Sequence, residues 1–378
     1  MSGLITGMGA NCSVGADRAA TFDALCAGRT GLAPLRGFEP ANFRARNAYE
    51  IDDRAAPGED RPLRPTRWLL DAVAEALADA GMAEDLTDIP VVIGTTLREL
   101  RSVELNWCDG TPFDPADLHF GTALRRRFRA GRTYTVANAC AASLYALGMA
   151  ADLLDLGEAD TVVVAGADTI TESTYGMLDR VYHKAPDAVR PFDRDRRGML
   201  QGDGAAAVVL HRSPPPGTRP YARVRGVGVN CDASHPSAPD AESIGRVMRD
   251  AHARAGVKPA DIDLVLLHGT GTPHNDVAEA QALVDVFAGV ETPPRMTAVK
   301  SMIGHTAGAS GLHSLITAVQ SLASGRVPPT LGLADPIEEM AGFRLGSEPV
   351  VDPDLSLAQI DSFGFGGLNA VAVVEKVA

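Results

Sequence analysis

Several side chains in this sequence are of the kinds that do covalent or proton chemistry, and each stands beside small residues. Cys140 lies in TVANACAASLYALGMA (135–150), crowded by Ala137, Ala139, Ala141, Ala142 and Ser143. Small neighbours let a reactant approach the sulfur closely. Residues 132–137 read as a short strand, and Leu144, Tyr145, Leu147, Met149, Leu153 and Leu154 mark a long apolar helix. A thiol at that turn sits in the positive end of the helix dipole, where its pKa is expected to fall and the nucleophilic thiolate to be favoured. A lone cysteine is more often a small buried hydrophobe, so this stretch by itself leaves both readings open.

Two histidines follow in the second half. In LVLLHGTGTPHNDVAEAQAL (264–283) an apolar strand runs into His268, with Gly269, Thr270, Gly271 and Thr272 behind it. In AVKSMIGHTAGASG (298–311) a strand ends at Lys300, a tight turn carries Gly304 and His305, and a helix of small residues begins. Strand tips on glycine-rich turns are where α/β proteins place binding and catalytic groups. The chain closes on DSFGFGGLNAVAVVEK (361–376), whose Gly364, Gly366 and Gly367 let the main chain approach a ligand. Its amides could serve as oxyanion donors.

The elements that must position these groups alternate. Strands are expected at 3–8, 90–95, 161–167, 205–211, 221–229, 263–267, 295–299, 342–346 and 370–375. Helices are expected at 17–27, 66–81, 240–255, 276–288 and 308–324. RSPPPGTRP (212–220) breaks all periodicity and reads as a linker. Strands alternating with helices on both sides of it imply two α/β units, residues 1–212 carrying Cys140 and residues 220–378 carrying both histidines and the glycine loop. A chain of 378 residues also exceeds the usual reach of one core.

Composition narrows the function. Hydrophobic residues make up 45% of the chain and the net charge is −13, which argues against a general nucleic-acid binder. No apolar run approaches the about 18 residues of a membrane span, and the N-terminus has no basic-then-apolar leader. Five scattered cysteines (Cys12, Cys26, Cys108, Cys140, Cys231) show no zinc spacing and fit reduced thiols in a cytoplasm. GMGANC resembles a dinucleotide turn, but Cys12 stands where the third glycine belongs.

Taken together, LITGMG, the Cys140 turn, RPFDRDRRGMLQGDGA (190–205), HGTGT, KSMIGH and FGFGG resemble a β-ketoacyl synthase of the thiolase superfamily, nearest the β-ketoacyl-ACP synthase II and type II polyketide ketosynthase branch. The resemblance runs nearly end to end. It implies a thiolase-like fold of two similar halves, mixed five-stranded sheets layered between helices as α-β-α-β-α. It implies decarboxylative Claisen condensation of an acyl thioester with malonyl-ACP, with Cys140 as nucleophile and the amides of Cys140 and Phe365 as oxyanion hole. His268 and His305 would stabilise the enolate, and Lys300 and Glu279 would organise the site. Phe365 matches the family's gate, and Thr270, Thr272 and Ser237 match positions on the phosphopantetheine arm. No cofactor or metal is implied beyond the carrier's own arm.

Docking of an acidic acyl carrier protein falls on Arg64, Arg67, Arg180 and Lys184, with RRRFRAGR (125–132) as a second cluster; read singly, each is an ordinary solvated charge. A dimer is implied, either of this chain or with a chain-length-factor-like subunit. No cysteine follows Cys231, as a degradative thiolase would require, and His305 stands where initiating synthases carry asparagine. Departures from the pattern favour specialised acyl or polyketide synthesis over housekeeping fatty-acid elongation: GTTLREL after the 90–95 strand, a short 97–134 region, Asn138 and Leu368 in place of threonine, and His313 and Ser314 in place of an acid. A rival of another class is a non-elongating cysteine acyltransferase, or a subunit that needs its partner. The chain is expected to act as a discrete enzyme.

Overall fold

The computed structural model describes residues 3–56 and 58–377, so the leader reading at Met1 and Ser2 lies outside it. Uninterrupted apolar and small residues build the central strands, the pattern of strands covered on both faces. β1 (Leu4–Cys12), β2 (Val91–Gly94), β3 (Thr133–Val136), β4 (Thr161–Asp168) and β5 (Gly204–His211) lie side by side in the order β3-β2-β4-β5-β1. β2 is parallel to β3 and β4, while β5 runs antiparallel to β4 and β1. The second half supplies β6 (Ala222–Cys231), β7 (Leu264–Leu266), β8 (Arg295–Thr297), the short β9 (Arg344–Leu345), β10 (Leu357–Gly364) and β11 (Leu368–Lys376). These follow the order β9-β8-β7-β10-β11-β6. Leaving β9 aside, the second set repeats the order and strand sense of the first. The halves meet edge to edge where Leu4 pairs Arg223 and Ile5 pairs Ala222, giving one hydrogen-bonded sheet of eleven strands.

Helices α1 (Arg18–Cys26), α2 (Arg64–Asp79), α3 (Leu100–Asp109), α4 (Phe120–Phe128), α5 (Ala142–Asp155), α6 (Glu172–Val181), α7 (Ala241–Ala255), α8 (Pro273–Val286), α9 (Lys300–Ile303) and α10 (Ser310–Ser324) complete the layers. α5 and α10 form the middle one. Their Leu144, Leu147, Leu312, Leu315 and Ile316 pack between Val162, Val164 and Val208 of one half-sheet and Leu264, Leu266 and Ile360 of the other. α2 and α4 cover the far face of the first half through Leu69, Val73, Leu124 and Phe128. α7 and α8 cover the second through Ile244, Val247, Met248 and Leu283. The expected α-β-α-β-α layering is therefore present, each layer buried because its neighbour is apolar on the facing side.

Local differences have local causes. β10 escapes a sequence reading because Gln359, Asp361 and Ser362 interrupt its apolar run, yet all three are buried. The 295–299 strand ends at Thr297, and Lys300 opens the one-turn helix α9 instead of closing a strand. α3, α4 and α6 are only nine or ten residues long, too short for an apolar stripe to stand out in the sequence.

Arg64 corrects the docking assignment. It is 1% exposed, and its guanidinium contacts Asp53 at 2.8 Å, Asp203 at 3.3 Å and Asp60 at 3.5 Å. It also lies over the Trp68 ring at 4.6 Å. A cation so enclosed is unavailable to a partner. Arg54 and Arg101 join the same buried network at Asp60, at 3.6 and 2.9 Å. Burial alone would raise the Asp60 carboxyl, but Arg54, Arg64 and Arg101 outweigh it and hold the group below its ordinary value. Breaking a buried pair from one side strands its partner's charge, so Arg64→Ala is expected to cost about 3–5 kcal/mol in chemical denaturation. The stability contributed by the lowered Asp60 is complete above about pH 3.9 and lost as pH falls through the folded value. The gap between wild type and Asp60→Asn should accordingly narrow in acid.

Candidate active site

The two middle helices begin alike. β3 leads into a 3₁₀ turn, Ala139–Ala141, and then α5; past α9, a second 3₁₀ turn, Ala307–Ala309, leads into α10. Each turn starts on a non-glycine residue with positive φ, Ala139 at 48° and Ala307 at 47°. Such a conformation costs of order 1–3 kcal/mol and persists only where the surroundings fix it. Cys140 rides on the first turn; His305 stands just before the second. His268 follows β7, and Phe365 and Gly366 form the tip between β10 and β11. The β10–β11 tip comes close to the Cys140 turn, where a Cβ on Gly364 would lie 3.1 Å from Ala139 Cβ and 3.2 Å from Cys140 N.

A cleft opens over these groups, lined by Cys140, His268, His305, Thr270, Thr272, Phe365 and Ser237 among others. Cys140 Sγ and one ring nitrogen of each histidine lie within 4.8 Å of one another. The imidazole centroids are 5.4 Å apart at 81°. Both rings are buried, and desolvation carries them well below their ordinary pKa, Lys300 adding to it. Both are therefore neutral at pH 7.

Their tautomers follow from their partners. The Ala307 amide donates to His305 Nδ1 at 3.1 Å, so the ring proton sits on Nε2, which is buried without a protein partner. Lys300 Nζ lies 3.3 Å from His268 Nδ1 and donates to the His268 carbonyl at 2.6 Å. An ammonium only donates, so His268 Nδ1 accepts and its proton is likewise on Nε2. Two N–H donors are thus available beside one thiol.

Glu279, on α8, accepts from the amides of His268 at 2.7 Å and Gly269 at 2.9 Å and from Asn275 Nδ2 at 3.1 Å. Burial pushes Glu279 up and Lys300 down, and their mutual attraction opposes both shifts. Cys140 departs from the sequence expectation. Its thiol is pushed up to about 11, because burial outweighs the Lys300 cation and the hydrogen bond from the Phe365 amide. The sulfur precedes the helix N-cap, Ala141, and the dipole does not prevail there.

Two acids escaped the sequence reading. Asp168, at the end of β4, takes Thr95 Oγ1 and the amides of Thr96, Leu97 and Gly308 at 2.7–2.8 Å, tying the β2 tip to the second 3₁₀ turn. Asp276 takes the Phe192 amide at 2.7 Å and sits one turn before Glu279. The spacing of Asp276 and Glu279 along α8 was visible; nothing local marks Asp168.

Other assigned residues divide. Thr270 is buried and Thr272 half-buried, their hydroxyls 2.9 Å apart, and exposed Ser237 stands on the cleft rim. The side chain of Phe365 is 43% exposed at the mouth. Arg67 binds Asp53 at 3.1 Å, whereas Arg180 and Lys184 are exposed on and just beyond α6. In the 125–132 cluster Arg126 pairs with Asp117, Arg127 with Glu84 and Arg129 with Asp85, which blunts its positive field. Among the described residues no helix is long and apolar enough to cross a membrane.

Comparison with known proteins agrees with this geometry. The family model for the β-ketoacyl synthase N-terminal domain matches residues 4–215 and that for the C-terminal domain residues 221–334. The chain belongs to the β-ketoacyl synthase family. It is 31% identical to 3-oxoacyl-[acyl-carrier-protein] synthase 2 of Rhizobium meliloti (strain 1021), over 99% of this chain and 98% of that one. It is 29% identical to 3-oxoacyl-[acyl-carrier-protein] synthase 1 of Haemophilus influenzae, with the same coverage. Among solved structures, the ishigamide ketosynthase/chain length factor superposes with TM-score 0.90 at 32% identity, covering 100% of this chain and 99% of that chain. A β-ketoacyl synthase from Burkholderia phymatum STM815 gives TM-score 0.84 at 26% identity, covering all of both chains.

The raised thiol is directly measurable. Iodoacetamide alkylation of Cys140, resolved by peptide mass spectrometry, should accelerate with pH to a midpoint near 11. Lys300→Met should move that midpoint higher, since it removes a cation that lowers it. A wild-type midpoint at or below the ordinary thiol value would show that the helix dipole outweighs burial.

Proposed function

We propose that this chain is a β-ketoacyl-[acyl-carrier-protein] synthase that condenses a cysteine-bound acyl group with malonyl-ACP. The observation that carries the reading is the pair of neutral imidazoles, each fixed in the Nε2–H form, beside a nucleophilic sulfur. Cys140 attacks the thioester carbonyl of an acyl carrier; its proton leaves with the carrier thiol. The amides of Cys140 and Phe365, both directed at the sulfur, hold the oxyanion of the tetrahedral intermediate. Malonyl-ACP then enters along Thr270, Thr272 and Ser237. As carbon dioxide departs, the Nε2–H groups of His268 and His305 donate to the thioester oxygen of the enolate. The enolate carbon attacks the acyl-cysteine carbonyl, and collapse expels the Cys140 thiolate, which regains a proton from water. Every step runs on protein groups and carrier-bound thioesters, without a further cofactor.

An acyltransferase that never elongates needs the sulfur and its oxyanion hole but not a second donor pair, so the two histidines favour elongation. The likeness to the ishigamide ketosynthase/chain length factor supports a specialised acyl or polyketide pathway, while relatives named for 3-oxoacyl-ACP synthases keep housekeeping elongation as the second reading. We assign an acyl carrier protein as partner, with Arg67, Arg180 and Lys184 as contact points. β3 lies at the outer edge of the sheet with Tyr134 38% exposed, which supports a second subunit pairing there, this chain or a chain-length-factor-like one.

Intact-protein mass spectrometry with a panel of acyl-ACPs tests the reading. Acylation should disappear in Cys140→Ala, and malonyl-ACP should discharge the wild-type adduct as a product two carbons longer. Cys140→Gln should still release carbon dioxide from malonyl-ACP. In that background His268→Ala or His305→Ala should cut decarboxylation by about 10²–10³-fold, the effect of one lost oxyanion donor. Stable acylation with no malonyl-dependent product would refute elongation by this chain alone.

A further inference from the structure

By residue type, the trio at the centre of the cleft is also a metal site. Cys140 Sγ and one ring nitrogen from each of His268 and His305 lie within 4.8 Å of one another. A tetrahedral zinc ion holds sulfur and nitrogen ligands about 3.5 Å apart, so a closure of about 1 Å would gather the set. A cysteine that sheds its proton to solvent and two neutral imidazoles suit zinc and other thiophilic ions, with the fourth position open. An ion seated there would occupy the sulfur and block its acylation.

The surroundings of the two rings have the opposite polarity to a metal site. A zinc-bound histidine coordinates through one nitrogen and donates the N–H of the other to a carbonyl, carboxylate or water. Here the outer nitrogen of each ring faces a donor instead. His305 Nδ1 accepts the Ala307 amide at 3.1 Å. His268 Nδ1 lies 3.3 Å from Lys300 Nζ, whose place is fixed by a second bond, 2.6 Å long, to the His268 carbonyl. To coordinate through Nε2, each ring would have to move its proton to Nδ1. That would set N–H against N–H at His305 and N–H against an ammonium at His268. Lys300 is 2% exposed and His268 1%, so neither group can turn out to solvent. The buried carboxylate of Glu279, which could have taken a ring N–H, takes the amides of His268 and Gly269.

We propose that Lys300 and the Ala307 amide guard this site against thiophilic metal ions, by keeping on Nε2 of both rings the protons that exclude coordination. The same two donors that prepare the rings to hydrogen-bond an oxygen make them unfit to hold a cation. Of the pair, only Lys300 is open to substitution, because the other is main chain. The guard is a property of the resting protein and does not depend on which thioester the site turns over.

Cobalt(II), a spectroscopic stand-in for zinc, tests it without turnover. Thiolate coordination gives a sulfur-to-cobalt charge-transfer band in the near ultraviolet, and the wild type should develop it only weakly. Lys300→Gln, which can turn a carbonyl oxygen to His268 Nδ1, should tighten binding by about 10–100-fold, the worth of such an outer partner. Lys300→Met removes the donor and the charge without supplying an acceptor, and should gain less. Adding Cys140→Ala to Lys300→Gln should erase the band, which separates this site from exposed Cys108 and Cys231. Equal gains in the Gln and Met variants would show that charge alone excludes the ion and would overturn the tautomer argument. A wild type that binds cobalt through Cys140 as tightly as Lys300→Gln overturns the proposal outright. Should neither variant fold, the wild type decides alone. Imidazole nitrogen NMR should place the proton of both rings on Nε2 and stay unchanged when zinc is added. A bare Nε2 on either ring, or zinc-shifted signals from both, overturns the guard. Failure of elongation with these spectra as expected would refute the proposed function and leave the guard standing.

Discussion

The ammonium of Lys300 is the contact on which the rest of the site turns. Held 2.6 Å from the His268 carbonyl and 3.3 Å from Nδ1 of the same residue, it decides which imidazole nitrogen carries the proton. It is the nearby cation that opposes the upward shift of the thiol and of the Glu279 carboxyl. That carboxylate in turn holds the amides of His268 and Gly269 in place. One buried charge therefore orients a ring, tunes a sulfur and anchors a loop. A buried charge is tolerable only because the opposite charge and several oriented donors are buried with it.

Burial governs the site more than helix polarity does. Cys140 stands at the start of a helix, yet desolvation leaves the thiol protonated in the free enzyme. A protonated thiol is a slow target for stray electrophiles. The same desolvation keeps both imidazoles neutral, and neutral rings are what donate to a developing enolate without adding fixed charge. Dryness thus supplies selectivity for the nucleophile and the correct protonation of the donors together.

Much of this was legible in the residues. The strand-turn-helix about Cys140, the strand tips at His268 and His305 and the glycine tip at 364–367 are local signals, because small residues and glycines must stand where main chain and ligand come close. Layering followed from apolar runs separated by helical stripes. What escaped depended on partners distant in sequence. Arg64 looks like a surface cation until Asp203, on the other side of the half-sheet's chain path, is brought to 3.3 Å. Gln359 and Asp361 interrupt the apolar run of β10, and the partner that satisfies Gln359, His252 on α7, lies far off in the sequence. The pKa of Cys140 could not be read either, since neighbouring residues do not report how completely a site is dried.

The repeated strand order has a consequence for symmetry. Each half offers a 3₁₀ turn ahead of a central helix, and each turn is clasped by the opposite half. The β10–β11 tip closes on Cys140, and Asp168 at the corresponding end of β4 takes the amide of Gly308 at 2.7 Å. The second turn thus carries glycine where the first carries the thiol, and its counterpart of the catalytic cleft is filled by a carboxylate and by Thr95, whose backbone a Cβ on Gly308 would strike at 2.5 Å. Of two crevices equivalent in the repeated strand order, one is a reactive pocket and the other is plugged.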